Sequence, residues 1–332
     1  MRDSNSIMTV RFSIGLLLAT IALTSVARAD DFPSRPITLV VSFAPGGLTD
    51  VPARMLAPEL QQRIGQPVIV ENKAGASGVT GDSYVQRSTP DGYTLLISAI
   101  AEVQNLYYIH VPFNILTDFA PVAKIADGPP LVLVVNSKSE LKSVADLIAY
   151  AKANPSKPNL STTGPASSPA IAVAQLNSIA GTAITPVPYN GSGPAATAVV
   201  SGDVQGGFVF YPSVAGFVDG GQMRVLAVAG AHRLATMPDI PTMTELGFKN
   251  FQHDAFVGIS APRDTPAPVI AVLNKAVNAA LTSGDLQKRI GQFGMSVAAQ
   301  PNTAEAYGRF MADQVAAQGE LAKLNGGIQP NR

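Results

Sequence analysis

Short apolar runs alternate with amphipathic segments along most of this chain, and glycine-rich turns separate them. Ile37-Thr38-Leu39-Val40-Val41 reads as a buried strand, ended by Ala44-Pro45-Gly46-Gly47. Residues 50–64 follow with helical periodicity, and Gly65 is placed to stop that helix. Val68-Ile69-Val70-Glu71 is the next strand, Ala74-Gly75-Ala76-Ser77-Gly78 leads into a helix near 79–87, and Tyr93-Thr94-Leu95-Leu96-Ile97 is a third strand. Strand, glycine turn, helix, strand is the pattern of βαβ units, and it predicts an α/β fold with a parallel sheet.

The pattern restarts after Gly128-Pro129-Pro130, which reads as a crossing between domains. Leu131 to Val135 is a strand, and Ser143-Val144-Ala145-Asp146 reads as the capped start of a helix over 144–153, since a serine oxygen can accept from a free first-turn N–H. Asn154-Pro155 ends it. Helices are predicted over 169–180 and 193–201, and strands from Val204 to Phe210 and from Val225 to Ala229. A second crossing is expected around 252–256, followed by helices over 266–282 and 303–323. Two α/β lobes result, with the last helices returning to the first lobe. Such an architecture puts a cleft between the lobes, lined by strand-to-helix turns. The expected division is 30–129 plus 255–332 for domain one and 130–254 for domain two.

Residues 1–29 read differently. An uncharged apolar run from Phe12 to Ser25 lies between Arg11 and Ala27-Arg28-Ala29, the layout of a cleaved signal peptide. The run is too short to span a bilayer, for which about 20 apolar residues are needed. The chain is therefore expected to be exported and to start near Asp30. It contains no cysteine, which excludes disulfides, thiol nucleophiles and a lipidated N-terminal cysteine. Solubility in a Gram-negative periplasm is the simplest expectation. The residues after Ala29 carry 20 basic and 22 acidic side chains, a net charge of −2 that offers nothing to nucleic acid or an anionic membrane. With 46% hydrophobic and 14% charged residues, the chain can bury two cores.

Recognisable catalytic and metal motifs are absent. His110, His232 and His253 are too scattered for a metal motif, and neither metal nor cofactor is expected. There is no Gly-x-Ser-x-Gly, no phosphate-binding Gly-x-x-x-x-Gly-Lys and no His-Glu-x-x-His. A triad of distant residues stays open as an alternative. What remains is three glycine- and hydroxyl-rich turns that open helices: Pro45-Gly46-Gly47-Leu48-Thr49-Asp50, Ser161-Thr162-Thr163-Gly164-Pro165-Ala166-Ser167-Ser168-Pro169 and Tyr189-Asn190-Gly191-Ser192-Gly193-Pro194. First-turn N–H groups point outward to receive an anion, and glycines let the backbone come close. Facing one cleft, the three turns would bind a carboxylate with neutral donors and helix dipoles. Each also has a plainer reading, with Thr49, Asp50, Ser167 or Ser168 serving only as helix caps.

The same residues carry a family resemblance. Ser42-Phe43-Ala44-Pro45-Gly46-Gly47-x-Thr49-Asp50, Val70-Glu71-Asn72-Lys73-x-Gly75-Ala76 and Pro90-Asp91-Gly92-Tyr93-Thr94-Leu95 occur in order. They are followed by Asp118-Phe119-Ala120-Pro121-Val122, Val187-Pro188-Tyr189-x-Gly191-Ser192-Gly193-Pro194-Ala195, Pro238-Asp239-Ile240-Pro241-Thr242 and Ala261-Pro262-x-x-Thr265-Pro266. The chain resembles the Bug-type periplasmic solute-binding proteins, the TctC receptors of tripartite tricarboxylate transporters. That resemblance implies a two-lobed periplasmic binding protein fold of type II-like form and a non-enzymatic, monomeric receptor. It also implies a small carboxylate as ligand and membrane permease subunits as partners. Carried over by position, Gly46, Gly47, Thr49 and Asp50 form one side of the site and Thr163, Gly164, Ser167 and Ser168 the other, with Ser98 and Tyr189 as further contacts. Asp50 suits a ligand amino or hydroxyl group.

Three positions depart from the family pattern. Ala170 stands where a histidine is usual, Val209 where an aspartate is common, and Phe256 where a tryptophan is usual. The stretch Phe208-Val209-Phe210-Tyr211 suits a less polar acid, aromatic or alkyl. Two other classes stay open at this level: a secreted α/β hydrolase or isomerase acting on a similar acid, and a sensor that presents its liganded form to a membrane kinase.

Overall fold

The computed structural model describes residues 32–155, 157–251 and 253–324. The signal peptide expected over residues 1–29 lies outside the described residues. The chain opens the first lobe with β1 (Ile37–Val41), α1 (Asp50–Ile64), β2 (Val68–Asn72), α2 (Val79–Gln86), β3 (Thr94–Ala99), α3 (Ile100–Tyr108) and β4 (Phe119–Asp127). β1 pairs in parallel with both β2 and β3, as the βαβ reading requires. Gly65 ends α1 with φ of 75°, its N–H bonded to the Gln61 carbonyl at 2.9 Å; only glycine takes that left-handed conformation without strain.

Through Gly128–Pro130 the chain passes to a second sheet. It builds β5 (Leu131–Asn136), α4 (Val144–Ala153), β6 (Asn159–Thr162), α5 (Ser168–Ala180), β7 (Thr185–Pro188), α6 (Ser192–Ser201), β8 (Gly206–Phe210), α7 (Ala215–Asp219) and β9 (Met223–Ala229). The Ser143 cap forms as expected: its Oγ accepts from Asp146 N–H at 3.1 Å, while the Asp146 carboxylate accepts from Lys142 N–H. The chain then returns with β10 (Phe256–Pro262), α8 (Ala267–Leu281), α9 (Gly284–Gly291), β11 (Ser296–Val297) and α10 (Ala304–Leu324). The two sheets run β11-β4-β10-β3-β1-β2 and β7-β6-β8-β5-β9. Where the chain crosses between them, Gly128 N–H donates to the Ala255 carbonyl at 2.7 Å, tying the outgoing and returning segments together.

Several elements were invisible to pattern reading. β10 lies antiparallel between β3 and β4, so what looked like a crossing continues directly into a central strand. β6 is four residues of Asn-Leu-Ser-Thr, and β7 is Thr-Pro-Val-Pro, which a sheet admits only at an edge because proline cannot donate to a ladder. α3 and α9 also went unread.

The cores follow the alternation of the strands. Leu39, Leu95 and Ile97 are fully buried in lobe one, and Val132, Val134, Val199 and Val209 belong to the core of lobe two. Asn302, 4% exposed, continues the pairing of β4 past the end of the two-residue β11: its Oδ1 accepts from Lys124 N–H at 3.1 Å and its Nδ2 donates to the Lys124 carbonyl at 2.8 Å. Asn302→Ala leaves both backbone groups unpaired, and the expected cost is about 2–3 kcal/mol. Urea unfolding of the two proteins measures it.

Candidate functional site

Four helices begin at the junction of the lobes, α1 and α3 from the first and α5 and α6 from the second. Their opening turns surround a small cavity, about 30 Å³, lined in lobe one by Phe43, Gly47, Leu48, Thr49, Ala99, Ala101 and Gln104. Lobe two supplies Thr163, Ser167, Ser168, Ser192 and Phe210. No lining side chain is charged. The cavity therefore offers hydroxyls, one amide, the starts of helices and aromatic surface.

Gly47, Thr49, Thr163, Ser167 and Ser168 line the cavity as the sequence reading placed them. The structure sets five other candidates apart. Asp50 is 2% exposed, and its carboxylate accepts from Gly46 N–H at 2.9 Å, from Arg54 Nε at 3.0 Å and from Asn72 Nδ2 at 2.8 Å. With its oxygens so engaged, it pins the 43–50 turn and has no lone acceptor to offer a ligand amine. Gly46 is the residue pinned, at φ of 83°. Ser98 points away from the cavity because side chains alternate along β3 and its neighbour Ala99 faces in; its hydroxyl bonds Tyr307 at 2.9 Å and Ser260 at 3.0 Å. Tyr189 packs against the core of lobe two. Gly164 backs onto Ser77 of lobe one.

Of the two serines that could cap a helix, Ser167 does so, accepting from Ala170 N–H at 3.4 Å and donating to the Gly164 carbonyl at 2.7 Å. Ser168 instead reaches across the cleft and donates to Gln104 Oε1 at 3.0 Å. Ala44 N–H makes a second bridge to the Asn190 carbonyl at 3.1 Å. The lobes thus meet directly around the cavity, in a closed arrangement. From Phe208-Val209-Phe210-Tyr211 only Phe210 reaches the cavity; Phe208 stacks on Phe251, and Val209 and Tyr211 turn into the core of lobe two, as strand alternation requires. Sequence reasoning missed Gln104, Ala99 and Ala101, since α3 was not seen. Leu48 and Ser192 lay inside turns that it did single out, and Phe43 only in the family motif that runs into the first of them.

Beneath the lobe-one wall lie two carboxyls with no exposure, Asp82 and Glu102. Glu102 Oε2 accepts from Ala99 N–H at 2.6 Å, and Asp82 Oδ1 accepts from Ser42 Oγ at 2.5 Å, leaving Asp82 Oδ2 and Glu102 Oε1 without partners. Burial pushes Glu102 up to about 7, and burial together with the Glu102 charge raises Asp82 well above the usual carboxylate range. An acid whose folded pKa is raised stabilises the fold below its unfolded value near 4 and loses that contribution as pH rises through the folded value. Melting temperature should therefore fall between pH 5 and pH 8 more steeply for the native protein than for Glu102→Gln. Parallel slopes in differential scanning fluorimetry would contradict the assignment.

Residues 52–326 match the model of the tripartite tricarboxylate transporter family receptor, TctC. The chain belongs to this receptor family. It is 36% identical to BugT of Bordetella pertussis (strain Tohama I) over 306 residues, which cover 91% of this chain and 93% of BugT. Among solved structures, the periplasmic binding protein BugD superposes with a TM-score of 0.84 at 31% identity, covering 89% of this chain and 99% of BugD. Rpa4515 of R. palustris with adipate gives a TM-score of 0.84 at 30% identity, covering 90% of this chain and 99% of that one. The two-lobed α/β fold of this TctC receptor is thus that of the periplasmic binding proteins. Of its three departures from the family pattern, Phe256 lies against Tyr307 and Phe310 inside lobe one and Val209 in the core of lobe two. Ala170 is buried in the first turn of α5.

Proposed function

We propose that this TctC receptor captures a small carboxylate between its lobes and delivers it to the membrane permease subunits of a tripartite tricarboxylate transporter. The observation that carries this reading is the uncharged cavity built from helix starts of both lobes, closed by direct contacts across it. A ligand that touches both lobes binds the closed form better than the open one and so shifts the equilibrium toward closure. Adipate in the similar Rpa4515 supports a carboxylate as the ligand class. Residues 30–129 with 255–332 and residues 130–254 act as the two moving domains, hinged where Gly128 meets Ala255. Gly47, Thr49, Thr163, Ser167 and Ser168 contact the ligand, and Gly46 and Asp50 hold the turn that presents the first two. The receptor works as a monomer in the periplasm after removal of residues 1–29, without catalysing a reaction. The lining supports a binding role, because it holds no charged or imidazole group to move a proton.

A thermal-shift screen of the purified protein against mono-, di- and tricarboxylates tests this, with proton NMR of each ligand afterwards. A dose-dependent rise in melting temperature for one class, with the acid recovered unchanged, is the expected result. Conversion of the acid would establish an enzyme instead, and a flat response across all classes would remove the carboxylate.

A further inference from the structure

The two walls of the cavity are unequal. In lobe one, both helix starts already hold a carboxylate: Asp50 sits in the first turn of α1, and Glu102 in the first turn of α3 bonds Ala99 N–H at 2.6 Å. Glu102 closes the start of α3 on Ala99 N–H, Asp50 is held by Arg54 and Asn72 at the start of α1, and the side chains set over them are mostly apolar, with Phe43, Leu48, Ala99 and Ala101. In lobe two, α5 and α6 carry no acidic residue in their first turns. They are 13 and 10 residues long, and four hydroxyls surround their starts. Two of these, on Thr163 at 6% exposure and Ser192 at 4%, line the cavity without a hydrogen-bond partner among the described residues. Thr49 supplies the single comparable hydroxyl in lobe one.

Resting on the receptor reading above, we infer that the ligand is a monocarboxylate with an apolar body. Its carboxylate is held by lobe two at Thr163, Ser192 and the starts of α5 and α6, and its body lies against Phe43, Leu48 and Phe210. A second carboxylate at the far end of the ligand would meet those apolar side chains, with no cation in the lining to offset its desolvation. The aromatic faces instead bury a hydrocarbon chain or ring, at about 25 cal/mol per Å² of apolar area. Phe210 is then a specificity-determining residue, and lobe two is the lobe that recognises the charge.

Matched pairs of acids separate these features. Isothermal titration of the purified protein with hexanoate and adipate, and with phenylacetate and malate, should give a monoacid at least tenfold tighter than its diacid. Ser192→Ala and Thr163→Val should each weaken the bound monoacid about tenfold, and Thr49→Val less than threefold. Phe210→Leu should weaken phenylacetate more than hexanoate. Diacids binding as tightly as monoacids would overturn the inference while leaving a carboxylate receptor in place. A larger loss from Thr49→Val than from Ser192→Ala would overturn the assignment of the charge to lobe two. Binding by none of the four acids would remove the receptor reading along with it. The native-protein comparison stands whether or not the Phe210 variant folds.

Discussion

Gly193→Ala should abolish tight ligand binding while leaving the ligand-free protein as stable as before. Gly193 lies in the first turn of α6, where alanine is at least as favourable as glycine by helix propensity. A Cβ there would stand 2.6 Å from the Pro45 carbonyl oxygen, and Pro45 belongs to the other lobe. The clash is with backbone, so no side chain can rotate away from it. It also arises only when the lobes meet. The substitution therefore penalises the closed state by several kcal/mol and the open state by nothing, and a few kcal/mol of closure energy is a 10²-fold or larger loss of affinity. Titration calorimetry reads the affinity, and small-angle scattering with saturating ligand reads the failure to compact. Gly284→Ala, where a Cβ meets nothing within 4 Å, is the control and should bind normally. Native affinity in Gly193→Ala would show that the lobes close less tightly than the contacts at Pro45, Ala44 and Ser77 require.

Asp50→Ala is the second large effect, and it is expected in stability as well as in binding. From position alone Asp50 suited a ligand amine, and its loss would then spare the fold. The structure commits its carboxylate to Gly46 N–H, Arg54 and Asn72 at 2.8–3.0 Å. Removing it leaves the Gly46 donor and one N–H of the Asn72 amide unmet beside a half-buried turn, while Asn72 keeps the Phe43 carbonyl and Arg54, and each unmet group costs about 1–3 kcal/mol. The Arg54 contribution is small because that side chain is half exposed. A net loss of about 3 kcal/mol and a melting point lower by roughly 5 °C are expected. Affinity should fall too, since Gly47 and Thr49 ride on the same turn. Unchanged stability with lost binding would restore Asp50 as a direct ligand contact.

Much of this molecule is legible in its residue order, and the reason is local. The hydrophobic period of 37–41, 50–64 and 131–135, the serine before Val144 and the glycine at 65 each act over a few neighbours, so the elements they define can be read from a window of that size. The glycine- and hydroxyl-rich turns are local too, which is why Gly47, Thr49, Thr163, Ser167 and Ser168 could be named before any coordinate was known. Decisions made across the fold could not be read that way. β7, with two prolines, is a strand because β6 offers it an edge, and β10 is central because β3 and β4 leave a slot between them. Whether Ser98 faces a ligand depends on strand register and on Tyr307, 209 positions later. Gln104 enters the site only because α3 meets Ser168 from the other lobe. Sequence alone determined the α/β lobes and the chemistry of the turns, because propensity and capping are short-range. Tertiary structure decided which turns share a cavity and which partners hold the Asp50 carboxylate, because burial and hydrogen-bond partners are set by packing between distant parts of the chain.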